Sequence, residues 1–161
     1  MKDRPDAFGN LAAWAMTQGY DPDHSYAGNM PKPPEVIPPK GFLSKHFTAD
    51  EFRCNHCAKL HPSGVMPPAQ LIEWLEEIRA HFGKPVHINS GYRCPIHNAA
   101  VDGVPDSRHL AGDAADFYIN RVTTPSIYEF CDKLIGSKGG VGLYNTFVHI
   151  DARGERARWR G

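Results

Sequence analysis

Apolar residues recur at helical spacing in two stretches of the chain. The first stretch follows two prolines and ends at Gly83, and the second begins at Thr124-Pro125 and ends at Gly136. The apolar positions of the first are Leu71, Leu75, Ile78 and Phe82. The inward positions of the second are Ile127, Phe130, Cys131 and Leu134. Because proline favours the first turn of a helix and glycine its end, the pattern predicts two amphipathic helices packed on a core.

Shorter runs have the composition of strands; they cover residues 86–90, 114–119 and 147–151. A further short helix is predicted from Ala49, because Thr48 and Glu51 have the spacing of a capping box. The glycine-rich segment 139–142 is interpreted as a turn before the last strand. The predicted class is α+β, with the helices packed on a small antiparallel sheet.

The first 40 residues differ from the rest of the chain. Residues 31–40 contain five prolines, which favour extended polyproline geometry and a stiff spacer. We therefore divide the chain into an N-terminal arm with a proline-rich linker, residues 1–40, and a folded domain, residues 41–161. An arm that lies across the surface of the domain is equally compatible with the pattern.

Composition excludes several classes of function. Among 161 residues, 18 Lys and Arg balance 18 Asp and Glu, which argues against a nucleic-acid binder that neutralises phosphates. The chain has no run of about 18 apolar residues that could cross a bilayer, and residues 1–10 lack the apolar segment of a secretion signal. We expect a monomer that neither inserts into membranes nor carries a conventional export signal.

Two of the nine histidines stand where a metal ligand would be useful. His109 precedes Asp116 by seven residues, with Gly112 between them, and His149 lies near the end of a predicted strand. A catalytic zinc site takes three ligands of this kind from the protein and leaves one position open. The alternative is structural, with Asp116 capping a turn and His149 facing solvent.

Three motifs resemble one family of enzymes. The segments SGYRCPIHN (90–98), SRHLAGDAADF (107–117) and GGVGLYNTFVHIDARG (139–154) are similar to those of the zinc D-Ala-D-Ala carboxypeptidases. That family also contains phage L-alanyl-D-glutamate endopeptidases, D,D-dipeptidases of vancomycin resistance and the zinc-binding fold of Hedgehog signalling domains. The resemblance covers residues 42–160. It implies that His109, Asp116 and His149 hold Zn²⁺ in a cleft on the sheet of a Hedgehog/DD-peptidase-like fold.

The resemblance also implies roles for Arg93 and Ser107. In the family, the arginine of the SGYR motif stabilises the oxyanion of the tetrahedral intermediate, and a fixed guanidinium is suited to that task. Ser107 matches a position near the substrate. Taken without the resemblance, Arg93 is an ordinary charge at a strand end and Ser107 a common turn residue.

The catalytic base departs from the family pattern. Relatives place a carboxylate three residues before the last zinc histidine, or a histidine two before it, where this chain has Thr146 and Phe147. Asp151 is the best substitute, because residues 149 and 151 of a strand point to the same side, about 7 Å apart. Asp151 would act either as the base or as a residue that orients a ligand. Asp113 is a further candidate.

Four cysteines offer a separate chemistry. Cys54 and Cys57 form a C-x-x-C pair, and Cys94 with His97 has the same spacing. Three thiolates and one imidazole are a usual ligand set for a second, structural zinc ion. A disulfide and plain reduced thiols are the alternatives.

The function that the resemblance implies is zinc-dependent hydrolysis of peptide bonds in peptidoglycan stem peptides, by a carboxypeptidase or an endolysin-like endopeptidase. Such an enzyme would remain in the cytoplasm until release, or be encoded by a phage and act on the cell wall. A non-catalytic zinc-binding module of the same fold and a virion-associated structural protein are the two alternatives.

Overall fold

The computed structural model describes residues 41–61 and 67–161. The predicted N-terminal arm, residues 1–40, lies outside these residues. Four α-helices are described: α1 (Ala69–Phe82), α2 (Pro95–Ala100), α3 (Arg108–Ala111) and α4 (Thr124–Ile135). Five strands form one sheet: β1 (Val86–Ser90), β2 (Ala114–Ile119), β3 (Gly140–Leu143), β4 (Val148–Asp151) and β5 (Ala157–Arg160).

Both long helices form where the apolar stripes predict them. Helix α1 buries Leu71 and Leu75 fully and ends at Gly83, whose left-handed φ of 60° favours glycine. Helix α4 is capped by the Thr123 side chain, which accepts a hydrogen bond from the N–H of Ser126. The short helix predicted from Ala49 is a 3₁₀ helix that ends at Phe52. Helices α2 and α3 are too short for an apolar period to reveal them.

The α+β class is confirmed, but the sheet is mixed rather than antiparallel. The strand order is β1-β2-β4-β3-β5, and β5 runs parallel to β3. Strand β4 pairs with β2 on one edge and β3 on the other, so the returning chain has no free edge of β4 to join. Strand β5 therefore pairs with β3. Since β3 and β5 both run antiparallel to β4, they are parallel to each other.

The prediction of a turn at residues 139–142 is wrong, because strand β3 begins at Gly140. Its glycines leave room for two large side chains. A Cβ atom on Gly140 would lie 2.3 Å from the carboxylate of Asp151, and one on Gly142 would lie 2.5 Å from the indole of Trp159. Glycine is present here because large side chains lie close to the backbone of β3. In a sequence, such glycines look the same as the glycines of a turn.

The sheet has one apolar and one polar face. The apolar face packs under α1 and α4 and contributes Ala115, Phe117, Ile119, Val141, Val148 and Ile150 to the core. Because alternate residues of a strand point to opposite faces, Asp116, His149 and Asp151 lie together on the other face. Among the described residues, no helix has the length and apolarity that a bilayer crossing requires.

Candidate metal centre and cleft

Three donor atoms meet on the polar face of the sheet. Asp116 on β2 and His149 on β4 are directly paired across the two strands. Helix α3 brings in His109, and Gly112, with a φ of 77°, ends that helix so that the chain turns into β2. We call His109 Nε2, Asp116 Oδ1 and His149 Nδ1 the donor cluster.

The spacing of the donor cluster fits a zinc ion. His149 Nδ1 lies 2.8 Å and His109 Nε2 lies 3.1 Å from Asp116 Oδ1. The two histidine nitrogens are 3.2 Å apart. Tetrahedral zinc with bonds of about 2.0–2.1 Å requires donors roughly 3.3 Å from one another. All three side chains are buried, so the residues fit a catalytic zinc site with a carboxylate and two imidazoles.

The outer nitrogen of each histidine is held by an acceptor. His109 Nδ1–H donates to the carbonyl oxygen of Gly91 at 2.6 Å. His149 Nε2–H donates to Asp151 Oδ2 at 3.0 Å. Such contacts fix the tautomer and ring orientation of metal-binding histidines. Both inner nitrogens therefore face the common centre.

Charge in the donor cluster also favours a cation. Burial works against ionisation of Asp116, but hydrogen bonds and charges from His109 and His149 outweigh it and lower the pKa of that carboxyl. Burial likewise opposes the charged form of His149, but its hydrogen bonds to Asp116 and Asp151 raise its pKa. Negative charge surrounds the imidazole of His149, which is the environment that stabilises a bound cation.

Arg93 lies at the edge of the donor cluster. Its guanidinium contacts the second carboxylate oxygen of Asp116, and its Nε donates to Ser90 Oγ at 2.9 Å. The backbone N–H of Arg93 donates to the carbonyl of His109 at 3.0 Å. The structure therefore holds the guanidinium of Arg93 beside the donors, and a fixed cation of this kind can stabilise negative charge.

Asp151 has the contacts of an orienting residue. Its side chain is fully buried. Oδ2 accepts from His149 and from Arg153 Nη2 at 2.7 Å, and Oδ1 accepts from Arg153 Nε at 2.7 Å and from the N–H of Gly140 at 3.2 Å. Burial opposes its ionisation, but His149 and Arg153 outweigh this effect and lower its pKa. A strongly acidic carboxyl whose oxygens are both occupied is a poor proton acceptor.

The other two polar candidates have different surroundings. Ser107 precedes α3 at its N-cap position and lines the cleft above the donor cluster. Asp113 forms an ion pair with Arg108, whose Nε lies 3.1 Å from Asp113 Oδ1. The carboxylate of Asp113 is therefore engaged in a structural contact, whereas Ser107 remains among the residues that line the cleft.

The donor cluster forms the floor of a cleft of about 830 Å³. Aromatic side chains make one wall of it: Tyr144, Phe147 and Trp159. The rings of Tyr144 and Phe147 stack at 4.4 Å, and Trp159 Nε1 donates to the Tyr144 hydroxyl at 2.9 Å. A concave site of this size, which combines an aromatic wall with polar and charged side chains, accommodates a peptide-sized ligand.

The aromatic wall and Arg153 were missed at the sequence level. From the sequence, Phe147 was identified only as a residue that cannot act as a base. Tyr144 and Phe147 are close to His149 in the sequence. Residues that connect two paired strands lie beside the second strand, so this short separation was the available signal. Trp159 reaches the wall through β5, a strand with two arginines that no apolar alternation identifies.

The cysteines form a separate group beside the cleft. The sulfurs of Cys54, Cys57 and Cys94 lie within 4.8 Å of one another, and we call these three residues the cysteine cluster. Cys131 is fully buried in the core, as its position on α4 predicts. Each of the four cysteines is a free thiol in the structure.

The chain is similar to a known family of peptidases. The family described as Peptidase M15 matches residues 45–151. That range contains the whole donor cluster, Arg93 and the cysteine cluster. Comparison with curated proteins returned no match. Because the matched range is well over half of the chain and includes every donor, the resemblance drawn from the three motifs is confirmed, and the chain belongs to the peptidase M15 family.

Proposed function

We propose that this peptidase is zinc-dependent and hydrolyses peptide bonds in the stem peptides of peptidoglycan. The observation that carries the proposal is the donor cluster, in which two imidazoles and one carboxylate lie 2.8–3.2 Å apart on the floor of an open cleft. Family membership supports a peptide as the substrate. The motifs that resemble cell-wall carboxypeptidases and endopeptidases support peptidoglycan as its source.

Each residue of the site has a separate task in this proposal. His109, Asp116 and His149 would hold the ion, which when bound supplies Lewis-acid chemistry for attack by water on a carbonyl. The guanidinium of Arg93 stabilises the negative charge that develops on the carbonyl oxygen in the transition state. The aromatic wall binds the peptide and keeps the scissile bond in place.

Asp151 is assigned to positioning and not to proton transfer. It holds Nε2 of His149, so that Nδ1 faces the centre, and is itself held by Arg153. Of the two roles that the sequence left open for Asp151, its contacts favour the orienting one. Asp113 is not proposed as a base, since its carboxylate pairs with Arg108.

The proposal is tested by digesting purified sacculi and identifying the released muropeptides by mass spectrometry. We expect products shortened by terminal alanine, or stem peptides cut at an internal bond. Either product should disappear when zinc is chelated and return when zinc is added back. A folded, zinc-loaded protein that is inert on sacculi of several cell-wall types would instead identify a non-catalytic zinc-binding module.

Asp151→Asn tests the positioning role. We expect a fall of about 10- to 100-fold in zinc affinity and in activity at limiting zinc, because residues that orient metal ligands have effects of this size. Saturating zinc should restore most of the activity. Zinc affinity is measured by competition with a chelator, and kcat at saturating zinc is measured on the same preparation.

The opposite result would identify Asp151 as the base. In that case zinc affinity would be unchanged, and kcat would remain low at every zinc concentration. Asp132→Asn is the matched control, since Asp132 also accepts from arginine, with Arg158 Nε at 2.6 Å, but lies outside the cleft. It should leave both quantities unchanged.

A further inference from the structure

The cysteine cluster is built from two separate parts of the chain. Cys54 and Cys57 lie in the turn that follows the 3₁₀ helix, and Cys94 is the N-cap residue of α2. Their sulfurs are within 4.8 Å of one another. Zinc with four ligands and Zn–S bonds of about 2.3 Å requires sulfurs roughly 3.8 Å apart. The fold therefore brings the three sulfurs close to the separation at which one ion would contact all of them.

Backbone N–H groups point at the sulfurs. The N–H of Cys94 donates to Cys54 Sγ at 3.3 Å, and the N–H of His97 donates to Cys94 Sγ at 3.4 Å. Such contacts stabilise the deprotonated sulfur that binds metals.

Two histidines approach the cluster. His97 Nδ1 lies 3.5 Å from Cys54 Sγ, and His56 Nδ1 lies 3.7 Å from Cys94 Sγ. In tetrahedral zinc, a nitrogen and a sulfur ligand are about 3.6 Å apart. His97 is partly buried and lies one helical turn after Cys94, whereas His56 is exposed and lies inside the turn between two of the cysteines. Of the two histidines, His97 is therefore the better candidate for a fourth ligand.

We propose that Cys54, Cys57, Cys94 and His97 bind a second zinc ion in a closed structural site. This site is separate from the donor cluster and would exist whether or not the chain acts on peptidoglycan. It would join the turn at 54–57 to the start of α2. Because Arg93 directly precedes Cys94, the ion would also hold the backbone that presents Arg93 to the cleft.

Zinc content of the full chain, purified under reducing conditions, tests the proposal. We expect two equivalents per chain in the unaltered protein and one in Cys57→Ser, whose altered side chain is partly exposed. His109→Ala should also retain one equivalent, so that failure of the cleft site and failure of this site are distinguishable. Cys131→Ser is the matched control and should retain two.

Cobalt and thiol measurements identify the ligands without relying on the folding of a variant. Cobalt bound to His109→Ala should show thiolate charge-transfer absorption, and blocking thiols in the unaltered protein should release one equivalent of zinc. His97→Ala should weaken zinc retention against a chelator, and His56→Ala should not. The reverse result for the two histidines would overturn His97 as the fourth ligand.

Two results would overturn the site itself. One is a single zinc equivalent that is lost completely in His109→Ala. The other is an intact mass lower by the two hydrogens of a disulfide, together with a loss of two reactive thiols and no thiol-dependent zinc. The first result would mean that the cysteines are reduced thiols without a metal. The second result would mean that two of them form a disulfide.

Discussion

His109→Ala is expected to remove one zinc equivalent and to lower peptidase activity at least about 10³-fold. The side chain supplies one of three donors, and the remaining pair, Asp116 and His149, cannot complete a three-ligand site. Loss of the ion removes several kcal/mol of transition-state stabilisation, which corresponds to a factor of this size. The measurements are metal content and the rate of muropeptide release.

His87→Ala is the matched control. His87 lies on β1, stacks on Tyr118 with ring centroids 4.9 Å apart, and does not line the cleft. It should retain both zinc and activity, with thermal unfolding used to compare the two variants. Full activity of His109→Ala at ordinary zinc concentrations would contradict the assignment of the donor cluster.

Arg93→Ala is expected to lower kcat/KM about 10²- to 10³-fold, the usual effect of removing one oxyanion donor. The zinc content should stay at the level of the unaltered protein. The reason is that the guanidinium contacts the outer oxygen of Asp116, while the inner oxygen faces the histidines. The measurements are kcat/KM on a defined stem peptide and metal content of the same sample.

Two further variants separate catalysis from ligand positioning. Arg93→Lys keeps the positive charge but not the planar fork, so it should recover only part of the lost rate. Arg53→Ala removes a guanidinium from an exposed pair with Asp50 and should have no effect. If saturating zinc restored Arg93→Ala to full activity, Arg93 would act only by holding Asp116.

The residues of the donor cluster were predictable because local sequence carries their signal. His109 and Asp116 belong to one short segment in which Gly112 reverses the chain, and His149 lies in an apolar strand. Each residue type is a preferred zinc ligand. The motifs therefore indicated the ligand set before any distance was known.

The role of Asp151 could not be predicted from the sequence in the same way. Strand periodicity places it on the same side as His149, and this holds for a base and for an orienting residue alike. Its burial depends on Gly140 of the neighbouring strand, and its ion pair on Arg153. The contact with Gly140 exists only after β3 and β4 have paired.

The two long helices, the α+β class, the residues of the donor cluster and the family could all be predicted from the sequence. These features follow from periods of a few residues and from short motifs, which are properties of neighbouring positions. Four other features are established only by the tertiary structure. They are the parallel strand β5, the aromatic wall, the burial of Asp151 and the proximity of Cys54, Cys57 and Cys94. Those features join residues distant in the chain, and their contacts depend on strand order and on the space that glycines leave between strands.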